Sequence, residues 1–465
     1  MAMRKIYSLN YLIIFLLIAI MFCHAFILTK SIFFPYPEFF VYPYLTNQGL
    51  KPYSQILDQH FPGLMFLPLN LDNLGMNNPE VARVWLIGTV LITQTLLFLI
   101  ANKIFKNGFK ALLVNVLYLI WQPFFEGWVF WIDTFIPLFT LSAFYFTHGY
   151  FFRKKRTIFI FLSGLFLGLG IIFKQTVLPL AAVLFLYLFW QSRSVKVLLV
   201  YSLGISVPIV SILLYFLNLK VINDFWYWTV VFNLTAYTQQ GLQVERPLGY
   251  FTRILLVFGT PITAIFSKQK KEVTLILLFL TGSLFGAFDR LDFVHLQPAL
   301  PFALLATGLG IQTLSKGKFT KYFLLFYLLT MIWWVGIFLK GHISSKIIFF
   351  DESTLSQAEK VKQYTDPGDK IFLFATAPHL YQMTQTLPAG NIFAFQFPWF
   401  MAVAQDRVLD SLIADPPKLV LYQEDAVIEG QKAADFMYKI DQYIKQNFTQ
   451  IDKIGNVKIM RKKTP

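Results

Sequence analysis

The chain has 465 residues, 56% of them hydrophobic and 18% aromatic, and only 14% are charged, against about 25% in soluble domains; this excludes a soluble globular protein as its bulk. The formal charge of +15 arises entirely in the first 340 residues, since residues 341–465 hold 14 Lys+Arg against 14 Asp+Glu. That placement ties the basic charge to apolar segments and excludes nucleic acid as its partner.

Crossing a hydrocarbon core of about 30 Å takes roughly 20 apolar residues in a helix. In chain order, eleven such spans are predicted, near 9–29, 81–101, 111–125, 132–150, 157–173, 176–192, 197–217, 250–267, 273–288, 296–314 and 321–340. The first should remain a span, because its apolar stretch from Leu9 to Leu28 is too long for the core of a cleavable signal. The result is a polytopic α-helical membrane domain over 1–340 followed by an extracytoplasmic domain over 341–465.

Between the first two spans lies the loop 30–80, too apolar to float in water. It carries Phe33, Phe34, Phe39, Phe40, Tyr42, Tyr44, Phe61, Leu64, Met65, Phe66 and Leu67. It is predicted to lie along the membrane interface as short amphipathic helices broken at Pro43 and near Pro62, with its rings as interface anchors. Glu38, Asp58 and His60 sit in the same stretch, at the depth of a lipid headgroup. A second long outer loop covers 218–249.

Short cytoplasmic loops retain basic residues. Alternate loops hold 17 of the 26 Lys and Arg of the membrane part, from Arg4 and Lys5 to Lys316, Lys318 and Lys321. The N-terminus is therefore expected in the cytoplasm and, after an odd number of spans, the C-terminus outside the plasma membrane. Of the eleven acidic residues before residue 341, only Glu272 falls inside. The others, among them Glu38, Asp58, Glu126, Asp133, Asp289 and Asp292, mark the outer face as the place of chemistry.

After Lys340 the composition changes. Helices near 353–364, around His379, at 401–414 and at 431–447 alternate with strands at Lys370 to Phe374, Asn391 to Phe395 and Lys418 to Tyr422. A terminal hairpin follows around Gly455. This pattern predicts a small α/β domain, expected to dock on the membrane part or an acceptor rather than to carry the reaction.

The only cysteine, Cys23, lies in the first span. No phosphate-binding or dinucleotide-binding glycine motif occurs, and the six histidines are scattered without metal-ligand spacing. Nucleotide-driven transport therefore loses its support. A transporter or flippase for lipid-linked sugars is the alternative reading, but it would place ionisable residues in mid-span and show repeat symmetry. This chain instead concentrates them at one face.

The run PEFFVYPYLTNQGLKPYSQILDQHFPGLMFL, from Pro37 to Leu67, resembles the first external loop of the GT-C superfamily of polyprenyl-phosphate-dependent glycosyltransferases. More narrowly, it is similar to relatives of the dolichyl-phosphate-mannose protein mannosyltransferases and of the lipid A aminoarabinose transferases. Glu38, Gly49, Pro52-Tyr53, Asp58, His60 and Pro62-Gly63 fit that loop. Lys174-Gln175 and the segment DRLDFVHLQPALP, Asp289 to Pro301, are further matches. The chain departs from the family in carrying Pro37 where an acidic pair opens, which leaves Glu38 as the pair's only carboxylate.

The resemblance implies transfer of a sugar, with inversion, from a polyprenyl-phosphate donor to a hydroxyl on a lipid, glycan or protein acceptor. Such a hydroxyl needs a carboxylate to take its proton during attack; Glu38 is the candidate base and Asp58 the next. The departing lipid phosphate needs cations or donors, for which His60, Lys174, Arg290 and His295 are candidates. Glu126 and Asp133 are candidate substrate contacts. Some relatives use a divalent cation, but Asp58, Glu126 and Asp133 show no ligand spacing for one.

Overall fold

Every predicted span is helical in the computed structural model, which describes residues 2–153, 156–239, 248–288, 292–314 and 318–463. The helices are Ala2–Lys30, Pro79–Phe105, Gly108–Gln122, Ile136–Phe152, Thr157–Phe173, Leu178–Ser192, Val195–Asn218, Lys270–Gly286, Leu300–Leu314 and Lys318–His342. The remaining span changes pitch along its length, from α over Leu248–Ile254 through π to a 3₁₀ turn ending at Phe266. Among the described residues, seven helical segments are long and apolar enough to cross a membrane, and Thr157–Phe173 and Leu300–Thr313 are shorter apolar helices. The protein is a polytopic helical membrane protein with a C-terminal sheet-containing domain.

The chain divides into two compact units. One comprises Met1–Phe34, Ala82–Ile212 and Val244–Lys346; the other comprises Pro35–Val81, Leu213–Gln243 and Ile347–Pro465. The first is held by devices suited to a medium without water. His24 Nε2 lies 2.9 Å from Gln122 Oε1, Gln94 Nε2 lies 3.1 Å from His24 Nδ1, and Asn115 Nδ2 donates to the Gln94 carbonyl at 2.8 Å. These buried amides link three helices where an unpaired polar group would be costly. The last carbonyls of Ala2–Lys30 are capped by Arg83, whose Nη1 reaches the oxygens of Leu28, Thr29 and Ser31 at 2.8–3.0 Å. A Cβ on Gly164 would stand 2.3 Å from the Tyr201 oxygen, and one on Gly204 2.3 Å from the Phe161 oxygen. Only glycine allows this crossing of Thr157–Phe173 and Val195–Asn218.

The second unit is built on a five-stranded sheet. Its spatial order is Phe448–Ile454, Val457–Lys462, Leu419–Tyr422, Lys370–Phe374 and Leu387–Pro388. The last three strands are mutually parallel neighbours, and Val457–Lys462 runs antiparallel to both strands beside it. Helices Glu352–Lys362, Pro398–Ala414 and Tyr438–Asn447 follow the predicted α/β pattern. The first of them opens on Asp351, whose carboxylate accepts from the Thr354 N–H at 2.9 Å.

Three expectations need correction. The strand predicted at 391–395 shortens to Phe393–Ala394 and leaves the main sheet to pair in parallel with Ile56–Leu57 of the first outer loop. The rings of that loop, expected as interface anchors, are buried instead. Phe39, Phe40 and Tyr42 are each at most 2% exposed, and Tyr44 donates to the Thr386 carbonyl at 3.1 Å. The loop's rings are core rather than anchors. Nor does Pro43 break the chain's path, because it sits inside the helix Glu38–Asn47, whose burial on one residue after another outweighs the single hydrogen bond a proline removes.

Candidate active site

Helix Glu38–Asn47 places Glu38 and Tyr42 one turn apart, on one face. It ends where Gly49 adopts φ +89° and its N–H returns to the Thr46 carbonyl at 3.0 Å, a left-handed exit that glycine makes without strain. The chain then turns back through Pro52 and Tyr53. Tyr53 is fully buried and ties the return by donating its hydroxyl to the His60 carbonyl at 3.0 Å.

The turn delivers Asp58 to Tyr42. The Tyr42 hydroxyl donates to Asp58 Oδ2, while Asp58 Oδ1 accepts from the His60 backbone N–H at 2.7 Å and stands 3.0 Å from His60 Nδ1. Both oxygens of Asp58 are thus engaged, and the residue is 3% exposed. Glu38 is different. It is 6% exposed, and among the described residues its Oε2 has no hydrogen-bond partner. Burial, opposed by a backbone hydrogen bond and assisted by the charge of Asp58, pushes its carboxyl up to about 8. Burial and the Asp58 charge also hold the hydroxyls of Tyr42 and Tyr53 well above their ordinary range.

The other predicted residues lie in the membrane unit. Lys174, at the turn after Thr157–Phe173, is buried. Its Nζ donates to Asp133 Oδ2 at 2.6 Å, with both side chains under 10% exposed. Glu126 sits in a π turn at the end of Gly108–Gln122 with φ +57°, and its Oε2 accepts from the Val294 N–H at 3.0 Å. His295 Nδ1 is 3.9 Å from Asp292 Oδ2. Arg290 and Asp289 lie outside the described residues.

Two residues escaped the sequence reading. Tyr42 is the donor that saturates Asp58, and its signal was the four-residue spacing from Glu38. Arg253 is the single charged residue of the apolar run 248–266. Its guanidinium lies 4.1 and 4.2 Å from the ring centres of Phe124 and Phe293, and its Nη1 donates to the Phe124 carbonyl at 3.0 Å. Gln297 Nε2 braces the same turn by donating to the Phe125 carbonyl at 2.5 Å.

Asp133 is taken by an ammonium and both oxygens of Asp58 by hydrogen-bond donors. Among the described residues no group of three His, Cys, Asp or Glu gathers to hold a metal ion.

No family model matches the sequence, and no curated protein does. Solved structures do match. ArnT from Cupriavidus metallidurans, crystallised bound to undecaprenyl phosphate and in the apo state, aligns over 97% of this chain and 98% of its own at 10% identity and a TM-score of 0.59. The archaeal oligosaccharyltransferase AglB from Archaeoglobus fulgidus, in complex with an inhibitory peptide and a dolichol-phosphate, aligns over 90% of this chain and 70% of its own at 9% identity, with a TM-score of 0.54. The A. fulgidus oligosaccharyltransferase tethered to an acceptor peptide aligns over 93% and 72% at 10% identity and 0.53. Over nearly its whole length, the chain shares the fold of these solved structures.

Proposed function

We propose that the protein is a membrane glycosyltransferase that moves a sugar from a polyprenyl-phosphate donor to a hydroxyl acceptor at the outer face of the plasma membrane. The observation that carries this reading is Glu38, a buried carboxyl with one oxygen unpartnered, beside an Asp58 whose oxygens are both occupied. The GT-C fold supports it, since ArnT binds undecaprenyl phosphate and AglB a dolichol-phosphate with a peptide.

In the proposed step the acceptor O–H gives its proton to the Glu38 carboxylate. The freed oxygen bonds the anomeric carbon from the face opposite the phosphate, and the carbon–oxygen bond to the phosphate breaks. The electron pair leaves on the polyprenyl phosphate, so the sugar inverts and no nucleotide is spent. Lys174, Arg290, His60 and His295 are the proposed partners of that phosphate. A carboxyl titrating near 8 is mostly protonated at neutral pH, but its ionised form is a stronger base than an exposed glutamate.

The test is purified protein in lipid nanodiscs with polyprenyl-phosphate-linked sugars labelled in the sugar. Appearance of label on a hydroxyl acceptor, with free polyprenyl phosphate released in equal amount, is the expected result. Movement of the intact donor across a bilayer with its phosphate ester unbroken would replace this reading with a flippase.

A further inference from the structure

The sheet-containing unit holds a cavity of about 390 Å³ that borders Glu38 and whose other walls the step above does not use. It lies where strand Lys370–Phe374 ends, the usual place for a ligand crevice in a parallel sheet. The chain leaves that strand through Ala375 at φ +56°. Gln396 fixes the exit, because its Oε1 accepts from the Ala375 N–H at 2.6 Å and its Nε2 donates to the Leu373 carbonyl at 2.5 Å. One amide therefore ties two walls of the cavity, the strand exit and the segment 393–397.

The lining is predominantly apolar and aromatic, including Phe372, Tyr381, Phe393, Phe395 and Met401. The rings of Phe395 and Phe397 are stacked, with centres 5.9 Å apart. Against this background stand two polar atoms, Glu38 Oε2 and Thr376 Oγ1, both from lining residues. Each is buried and, among the described residues, without a hydrogen-bond partner. Unpaired acceptors and donors are rare in a packed interior, because each forfeits its hydration with no return. Two of them in one apolar cavity mark a place where a ligand supplies the missing bonds.

We infer that this cavity receives the apolar part of an amphipathic alcohol acceptor and that its hydroxyl is presented to Glu38, with Thr376 as a second hydrogen-bonding contact. The inference rests on the glycosyltransferase reading for the word acceptor. The site itself rests on the cavity. Its volume falls at the lower end of the roughly 300–1,000 Å³ of small-molecule sites, which suits one alkyl or aromatic group and excludes a whole multi-chain lipid. The C-terminal domain thereby takes part in choosing the acceptor rather than only docking it.

The experiment is photolabelling of the full chain in nanodiscs with 3-azioctanol, an alcohol bearing a diazirine, followed by peptide mapping. Adducts are expected on 375–378 and 393–397, with loss of that labelling in Ala394→Trp, which fills the cavity. Thr376→Val, close to isosteric, is expected to raise the half-saturating probe concentration about fivefold to tenfold by removing one hydrogen bond. Labelling confined to the apolar helices, or unchanged in both variants, overturns the proposal. Displacement of the probe by undecaprenyl phosphate also overturns it, by making this a donor site. A parallel transfer assay with n-octyl glucoside separates the two readings. Wild-type transfer with an unaltered acceptor KM in both variants refutes the cavity alone. Absence of any donor turnover, with labelling at 375–378 and 393–397 intact, refutes the glycosyltransferase reading and leaves the alcohol site standing.

Discussion

Replacing Glu38 with glutamine tests the proposed base in two independent quantities. Glutamine keeps size and hydrogen-bonding shape but accepts no proton, so transfer should fall by about 10² to 10⁴. The second quantity is stability. The folded carboxyl titrates near 8 rather than at its ordinary 4.5, so between those values the unfolded chain ionises while the folded chain cannot. Stability from this group is fully present below about 4.5 and is lost progressively as pH rises towards 8. At pH 7 the loss is up to about 3 kcal/mol, at about 1.4 kcal/mol per pH unit. Glu38→Gln removes that penalty, so the variant should melt above the wild type at pH 8 and close to it at pH 4.5. The wild-type transfer rate should rise with pH up to about 8 as the base ionises, and this dependence should vanish in the variant's residual activity. Thermal unfolding and initial rates between pH 5 and 9 measure both effects. Near-normal turnover in Glu38→Gln, with loss in Asp58→Asn instead, would refute the assignment. A wild-type rate that falls between pH 7 and 9 would make Glu38 an acid in the step and not its base.

Lys174→Met should raise the KM for the polyprenyl-phosphate donor with little change in acceptor dependence, and it also strands the buried Asp133 carboxylate at a cost of about 3–5 kcal/mol. Adding Asp133→Leu should recover the melting temperature but not the donor KM; recovery of both would make the pair purely structural. Tyr42→Phe removes a donor from Asp58 and should cost about 1.5–3 kcal/mol in unfolding experiments, as for other hydrogen bonds to a charged group; an unchanged melting temperature would argue that the bond carries no weight. Gly204→Leu should lower the yield of folded protein, because the Phe161 oxygen occupies the side chain's first atom position; wild-type yield and melting would contradict that crossing. A reporter active only in the cytoplasm should be silent after Pro465 and active near Lys155, and the reverse would put the proposed site in the wrong compartment.

Periodicity made the helices and the tail legible, because both are local properties. Lys370–Phe374 has the bounds predicted for it, and the tail helix predicted at 353–364 is Glu352–Lys362. What stayed hidden depends on partners far along the chain. Phe393–Ala394 pairs with Ile56–Leu57, and nothing local in either dipeptide announces the other. The first loop was misread for a related reason. A run rich in Phe and Tyr is equally consistent with lipid-facing anchors and with a protein core, and only the partner surface from the tail decides it. Lys174 likewise read as a cation for a lipid phosphate, and nothing local announced Asp133, 41 residues away, which lies within 2.6 Å of it.

The two carboxylates of the first loop carry the argument about chemistry furthest, because the sequence presents them as near equivalents. Either could serve as a base on composition alone, and spacing does not rank them. Their surroundings do. Asp58 has two side chains and a backbone N–H directed at its oxygens, an arrangement that leaves neither oxygen free to meet an acceptor's hydroxyl. Glu38 is dry and holds an unpartnered oxygen on a cavity wall. The anion of Asp58 then acts on Glu38 at a distance, since a standing negative charge raises the proton affinity of its neighbour. Tyr42 therefore contributes through Asp58. By holding that charge in place it keeps Glu38 basic, so weakening the Tyr42 bond should alter the pH at which transfer switches on as well as the stability of the loop. Two carboxyl groups in such different surroundings take different roles, and here the division falls between a carboxylate held by donors on both oxygens and one with an oxygen free to move a proton.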